Sequence, residues 1–291
     1  MSDDNSGGRT ATVIVPLDGS EEATAALPVA RTLAQAEGVP LHLLHVGAQA
    51  ETTQVTLQAI GLAAEEIHDA VLLARDGSPA EAIVAYAHET ASRLIVMASR
   101  AHGDTGHGAL GAVTREVLRR ASCPVVLVSP ERPRTAWPLR AILLPHDGIP
   151  TTAAAIARTA DLAHRSGAKV SVLHIASTTS APPAEPGALM APRYLDQPQH
   201  EWPSWAREFM ERVVALGGPP PGVNMRLFFD CGEPADAIVR FAGEHETDLV
   251  VIAWVAGWEP EQRTTMRKVI DQAPSPLMVF PLEQPSAGQV F

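Results

Sequence analysis

The chain is poor in cysteine: Cys123 and Cys231 are the only two in 291 residues. Two thiols cannot build a disulfide framework in a chain this long, and they point to a reducing compartment. Lysine occurs only at Lys169 and Lys268, so the lysine-containing phosphate loop of the P-loop enzymes is excluded. No Gly-x-Ser-x-Gly nucleophile elbow is present. Positive charge is also short: 22 Lys+Arg stand against 33 Asp+Glu, for a formal net charge of −11. With no basic cluster of five or more residues, neither nucleic acid nor an anionic membrane is the expected partner. No apolar run approaches the roughly 18 residues that a membrane span needs. The first ten residues are polar and Gly-rich, without the apolar core of a signal peptide, and a cytoplasmic location is expected. What the chain does have is a 46% hydrophobic fraction with 19% charged residues, the composition of a globular protein with a full core. At about 100–200 residues per domain, its length predicts two domains.

The two domains are copies. Val13-Ile14-Val15-Pro16-Leu17-Asp18-Gly19 recurs as Ile142-Leu143-Leu144-Pro145-His146-Asp147-Gly148. The same offset pairs Gly38 with Gly167 and His45 with His174. A larger offset pairs Gly77-Ser78-Pro79-Ala80 with Gly232-Glu233-Pro234-Ala235, and Leu94–Ala98 with Leu249–Ala253. The second half therefore carries roughly 26 extra residues between His174 and Cys231. The expected organisation is a tail over 1–10, a domain over 11–130, a Pro-containing linker over 131–138, a second domain over 139–285 and a tail over 286–291.

Within each copy, short apolar runs bounded by Gly, Pro or Asp alternate with Ala-rich segments of helical spacing. Thr12–Leu17, Leu41–Val46, Leu94–Ala98 and Val125–Val128 are apolar on both faces, as buried parallel strands are. Glu21–Glu37 reads as a helix opened by Ser20 and closed by Gly38. Ser78–Ala91 reads as a second, with Ser78 and Glu81 forming a capping box around Pro79. Val113–Ala121 is a third. The alternation predicts the α/β class: two tandem doubly wound domains, each a parallel sheet with helices on both faces. Ligands of such sheets bind outside the carboxyl ends of the strands.

Four segments together resemble the universal stress protein family. They are Val15-Pro16-Leu17-Asp18-Gly19-Ser20, Leu44-His45-Val46, the helix start Gly77-Ser78-Pro79-Ala80, and Ala121-Ser122-Cys123-Pro124-Val125-Val126-Leu127-Val128. The resemblance implies five parallel strands per domain and, in one branch of the family, ATP or another adenine nucleotide at the strand ends, with Mg²⁺ as an accompanying ion. By matching position the resemblance implies that Pro16 and Asp18 flank adenosine, that Asp18 accepts from the ribose and that Val46 packs on adenine, with Leu17 also in the candidate site. Met97, Ala98, Arg100, Ala101, Gly111, Ala112 and Val113 complete the candidate site in the first domain. That branch carries a Gly-x2-Gly-x9-Gly-Ser/Thr loop, and here the frame is Ala98-x2-Ala101-x9-Gly111-Ala112. The spacing is kept while two glycines and the hydroxyl residue are alanine. A Cβ at such positions opposes close backbone approach to phosphate. Asp104 in the intervening stretch opposes an anion, whereas Arg100, His102 and His107 favour one. Asp18 also has a second reading, as a turn and cap residue.

In the second half the frame runs Ala253-Trp254-Val255-Ala256 to Arg263-Thr264, with Trp258, Glu259 and Glu261 inside it. Rings and carboxylates make a poor triphosphate cradle. The insertion, about 177–205, begins Pro-rich and continues with Tyr194, Trp202 and Trp205 in a chain that is only 4% aromatic. From Ser204 it reads as a helix with Trp205, Phe209 and Val213 on one stripe. Asp196, His200 and Glu201 are metal-ligating types; the competing reading is a loop anchored by its aromatics and capped by its polar groups. His45 and His174, at equivalent strand ends, are ligand neighbours or satisfied hydrogen-bonding groups. Cys123 is expected buried.

The terminal strands Val125–Val128 and Leu277–Phe280 should be sheet edges, and exposed apolar edges demand partners. Self-association through them is expected, within the chain or as a homodimer. The function that follows is a regulatory, stress-adaptive module binding an adenine nucleotide in its first domain, with at most slow ATP hydrolysis. Two alternatives stand beside it: a dimeric scaffold without nucleotide, and an enzyme whose active site is closed by the insertion.

Overall fold

The computed structural model describes residues 11–47, 56–57, 60, 62–99, 110–131, 136–146, 153–176, 201–255 and 260–282. The chain divides into two compact units, Met1–Trp137 and Pro138–Phe291. The first runs β1 (Val13–Leu17), α1 (Glu21–Thr24), α2 (Leu27–Glu37), β2 (Leu41–Val46), a 3-10 turn (Ala64–Ile67), β3 (Ala70–Arg75), α3 (Pro79–Glu89), β4 (Leu94–Ala98), α4 (Ala112–Arg120) and β5 (Val125–Val128). The second runs β6 (Ala141–Pro145), α5 (Ala153–Ser166), β7 (Lys169–Ala176), α6 (Glu201–Gly217), β8 (Met225–Cys231), α7 (Pro234–Glu244), β9 (Leu249–Val255), α8 (Pro260–Gln272) and β10 (Leu277–Leu282).

The strand order is β3-β2-β1-β4-β5 in the first unit and β8-β7-β6-β9-β10 in the second, so the two copies wind identically. Within each unit the described pairings are parallel, with Val13 beside Leu41 and Leu94, and Ile142 beside Val170 and Leu249. The middles of the central strands are buried, as the continuous apolar runs require: Ile14, Leu43, Ile95, Leu143 and Val172 have no exposed surface. The strands missed in the sequence are β3 and β8. Both close one side of their sheets and are half-exposed, with Val71 and Phe229 among the exposed large apolar residues. Half-burial gives neither a solid apolar run nor a clean alternation, so neither strand signals itself.

The backbone repeats where side chains do not. Gly38 and Gly167 close equivalent helices at φ +67° and +72°, and Gly77 and Gly232 share φ values of +110° and +111°. Ala91 and Glu246, at the same offset as that second pair, both adopt positive φ without being glycine.

Two helix expectations need correction. Glu21–Glu37 is not one helix but α1 and α2. Pro28 has no N–H for the carbonyl of Thr24, and its ring crowds that turn. The chain crosses the break on tighter bonds, from Ala25 N to Glu22 O and from Ala26 N to Ala23 O, both 3.3 Å. The capping box at Ser78 does not form either: Ser78 makes no side-chain cap bond. The Glu81 carboxylate reaches instead to Arg120 on α4, 3.2 Å away. In the second copy the cap is made, by Glu233 accepting from the Asp236 N–H at 3.0 Å.

The aromatic stripe of the insertion is core. Trp205, Phe209 and Val213 on α6 are buried, and α6 begins at Glu201, three residues before the predicted onset. Asp196 and His200 lie outside the described residues. Cys123 is buried and Cys231 exposed, and neither is in a disulfide.

One half-buried pair gives unit 1 a pH dependence that can be tested. His42 Nδ1 is 2.7 Å from the Tyr86 hydroxyl, and burial holds the His42 imidazole below its ordinary pKa. The unfolded chain then takes up this proton before the folded one does. The stabilisation is complete above the ordinary imidazole pKa of about 6.5 and is lost as pH falls below it. The urea midpoint should therefore fall between pH 7 and pH 5, and in His42→Gln the fall should shrink by a fraction of a proton's uptake. An identical pH slope in the two proteins would contradict this.

Candidate functional site

β1 ends because Asp18-Gly19-Ser20 turns the chain out of the sheet. Gly19 sits at φ +89°, a conformation costly for a residue with Cβ. Asp18 Oδ1 accepts from the Ser20 N–H at 3.0 Å and from the Ser20 hydroxyl at 2.6 Å. Ser20 Oγ in turn accepts from the Ala23 N–H at 3.2 Å, capping α1. The turn reading of Asp18 is thus realised. It occupies one carboxylate oxygen; Oδ2 takes no hydrogen bond among the described residues.

Next to this turn the carboxyl ends of β1, β2 and β4 splay from the starts of α3 and α4. The space between them is a cleft of about 120 Å³. Pro16, Leu17 and Asp18 enter it from β1, Val46 from β2, Met97 and Ala98 from β4, and Val113 from α4. These are seven of the positions singled out in the sequence. Gly111 and Ala112 stand beside it as the N-cap and first residue of α4. Arg100 and Ala101 lie outside the described residues. Sequence reasoning missed Ala23, Leu44, Pro79, Ile83 and Thr114, which complete the lining. Leu44 was within reach, since it shares a strand face with Val46, two residues on.

The start of α4 is fastened to the end of β4. The Gly111 N–H donates to Ser99 O at 3.1 Å, the Ser99 N–H to Val128 O at 2.9 Å, and the buried Thr114 hydroxyl to Ala98 O at 3.2 Å. Gly111 has no side chain to cap the helix, so the first-turn N–H groups keep their partial positive charge toward the cleft mouth. The opposite wall is acidic. Asp18, Glu21 and Glu22 border a shallower hollow that shares Asp18 with the cleft.

The histidines at the strand ends are structural ties. His45 Nδ1 is 2.9 Å from Leu17 O, and His174 Nδ1 is 3.3 Å from His146 O. A carbonyl only accepts, so Nδ1 is the donor in both rings.

In unit 2 the same frame is filled differently. His146 replaces Leu17, Ile175 replaces Val46 and Ile252 replaces Met97. His174 lies among the rings of Trp205, Phe209 and Phe229, with centroids 4.9, 5.1 and 6.3 Å away. His146 meets Phe209 edge-on at 6.4 Å. The Glu201 side chain is outside the description, and no cluster of metal-ligating groups occurs among the described residues.

Two tandem doubly wound α/β units, with a cleft over the strand carboxyl ends of the first, define the Rossmann-like α/β class. The sequence profile of the universal stress protein family matches residues 10–129 and 138–281. The chain belongs to the universal stress protein family, in its tandem form. It is 33% identical over 135 residues to a universal stress protein of Thermus aquaticus, a match covering 40% of this chain and 97% of the relative. Universal stress protein YxiE of Bacillus subtilis is 30% identical over 143 residues, covering 40% of this chain and 97% of its own. Among solved structures, a universal stress protein from Archaeoglobus fulgidus shares the fold with a TM-score of 0.65 at 16% identity, over 93% of this chain and 98% of that one. No helix among the described residues is long and apolar enough to cross a membrane.

The Thr114 bond gives a test of how the cleft wall is held. Thr114→Val keeps the shape and removes the donor to Ala98 O. It should cost about 1–3 kcal/mol of unfolding free energy in denaturant titration. A loss below about 0.3 kcal/mol would show that α4 is held by packing alone.

Proposed function

We propose that the first unit is an adenine-nucleotide-binding module, and that the chain is a cytoplasmic regulatory protein answering to the occupancy of that site. The observation that carries the reading is the convergence of Pro16, Leu17, Asp18, Val46, Met97, Ala98 and Val113 on one cleft. Pro16, Asp18 and Val46 among them are the positions that the resemblance to the family's nucleotide branch assigns to adenosine. The chemistry suits the ligand. Leu44 and Val46 offer an apolar floor for a purine ring. Asp18 Oδ2, left over from the turn, is an acceptor for a ribose hydroxyl. The first turn of α4 offers backbone donors to a phosphate.

Calorimetry and thermal-shift titration of the full chain with adenine nucleotides test this. A saturable rise in melting temperature is expected, worth about 2.7 kcal/mol at a hundredfold excess over Kd. Asp18→Ala should weaken binding about tenfold, the worth of one hydrogen bond to a charged group. Val46→Trp should fill the cleft and abolish binding while far-ultraviolet circular dichroism stays unchanged. If no adenine compound shifts the melting temperature at millimolar concentration, the reading fails.

A further inference from the structure

Independently of the adenine reading, we infer that the outer edge of β8 docks a second copy of this chain, strand against antiparallel strand, about a twofold axis through Phe228. β8 lies at one end of its sheet, and its one neighbour among the described strands is β7. An end strand offers backbone N–H and C=O groups to another chain. The side chains of this one select a copy of itself.

In an antiparallel pair centred on Phe228, Arg226 lies opposite the second copy's Asp230, Leu227 opposite Phe229 and Met225 opposite Cys231. The twofold makes each of these contacts twice. The strand is a charge palindrome, with a cation and an anion equally far from its centre and on the same face. Contacts within the unit identify that face as the one toward α7. Asp230 is bridged to Arg240 of α7, and Phe228 packs edge-on against Phe241 with ring centroids 5.0 Å apart. On the other face Phe229 meets Trp205 of α6 at 5.3 Å and is still 41% exposed. The Leu227–Phe229 pairs cover part of that apolar surface.

Arg226 is exposed and has no hydrogen bond or ion pair among the described residues. Asp230 Oδ1 accepts from the Cys231 N–H at 2.8 Å, and each carboxylate oxygen has capacity for a second bond. The same pattern fixes the register. A slip by one residue sets Arg226 against Phe229 or Cys231 and removes both ion pairs. The matching strand of unit 1, β3, is a poorer template. Asp69 and Arg75 stand equally far from Leu72, but Asp69 lies before the strand. Asp69 is bridged to Arg31 at 3.0 Å and Arg75 to Glu89 at 2.8 Å. Both charges of β3 are used inside the unit, whereas the cation of β8 is not.

Sedimentation velocity of the full chain over a micromolar concentration range tests the inference. A reversible monomer–dimer equilibrium is expected. Arg226→Asp leaves the Asp230–Arg240 bridge in place and should weaken the dimer about tenfold or more, since like charges then face each other twice. Adding Asp230→Asn, which still offers Arg240 an acceptor, should recover about threefold or more of that loss. Register is read by Met225→Cys, which sets a thiol opposite the native Cys231 and should give a disulfide-linked dimer on mild oxidation. Cys123 is buried and does not compete. The unaltered chain should not crosslink, because its two Cys231 lie about 20 Å apart in this pairing. A chain that stays monomeric, a dimer indifferent to Arg226→Asp, or no recovery on adding Asp230→Asn would overturn the inference. So would a Met225→Cys protein that crosslinks no faster than the unaltered chain.

Discussion

A parallel sheet solves its backbone hydrogen bonding strand by strand, until the strands end. At their carboxyl ends the chain must leave the ladder, and its last polar groups have to be met by something else. Here the answer is a histidine on the second strand of each copy: His45 meets the carbonyl of Leu17, and His174 that of His146. The tie pins the first two strands together just where they would otherwise splay. Beyond it Asp18 and Ser20 close the turn with their own side chains. The cleft lies over these ends, lined by residues of the strands and of the helices beside them.

The two copies show what that constraint fixes and what it leaves free. The turn glycines keep their left-handed backbone in both, and even the strained positions Ala91 and Glu246 correspond. A positive φ at a residue with Cβ is retained only where its surroundings demand it. Side chains at the strand ends have meanwhile diverged. Unit 1 presents aliphatic groups and an acid to an open cleft. Unit 2 gathers Trp205, Phe209 and Phe229 around His174, with α6 supplying two of the three rings. Divergence is cheap in side chains and costly in the turns, so the strand-end side chains differ while the winding stays.

The same asymmetry governs what the sequence reveals. Central strands were legible because burial on both faces leaves continuous apolar runs such as Leu94–Ala98. β3 and β8 were not, since a half-exposed strand mixes Val71 or Phe229 with polar neighbours. The break at Pro28 was overlooked because Ser20 and Gly38 are sound helix ends whether one helix or two lie between them. At the site, residues next to a turn motif could be placed, as Pro16 and Asp18 show. Ile83 and Thr114 come from helices, and only the fold brings them to the strand ends. Glu81 illustrates a deeper limit: its local partner was Ser78, yet the competing partner, Arg120, is distant in sequence.

Asp18 joins these threads. The turn it makes needs a side-chain oxygen two residues before Ser20, and asparagine would supply that oxygen as well as aspartate does. The negative charge is therefore surplus to the fold. Placed near Glu21, it adds negative charge to a chain already at −11. A charge that the turn does not require, on an oxygen that the turn does not use, acts on whatever enters the cleft. On the proposed adenine reading, that oxygen at the end of the first strand is an acceptor for a donor hydroxyl.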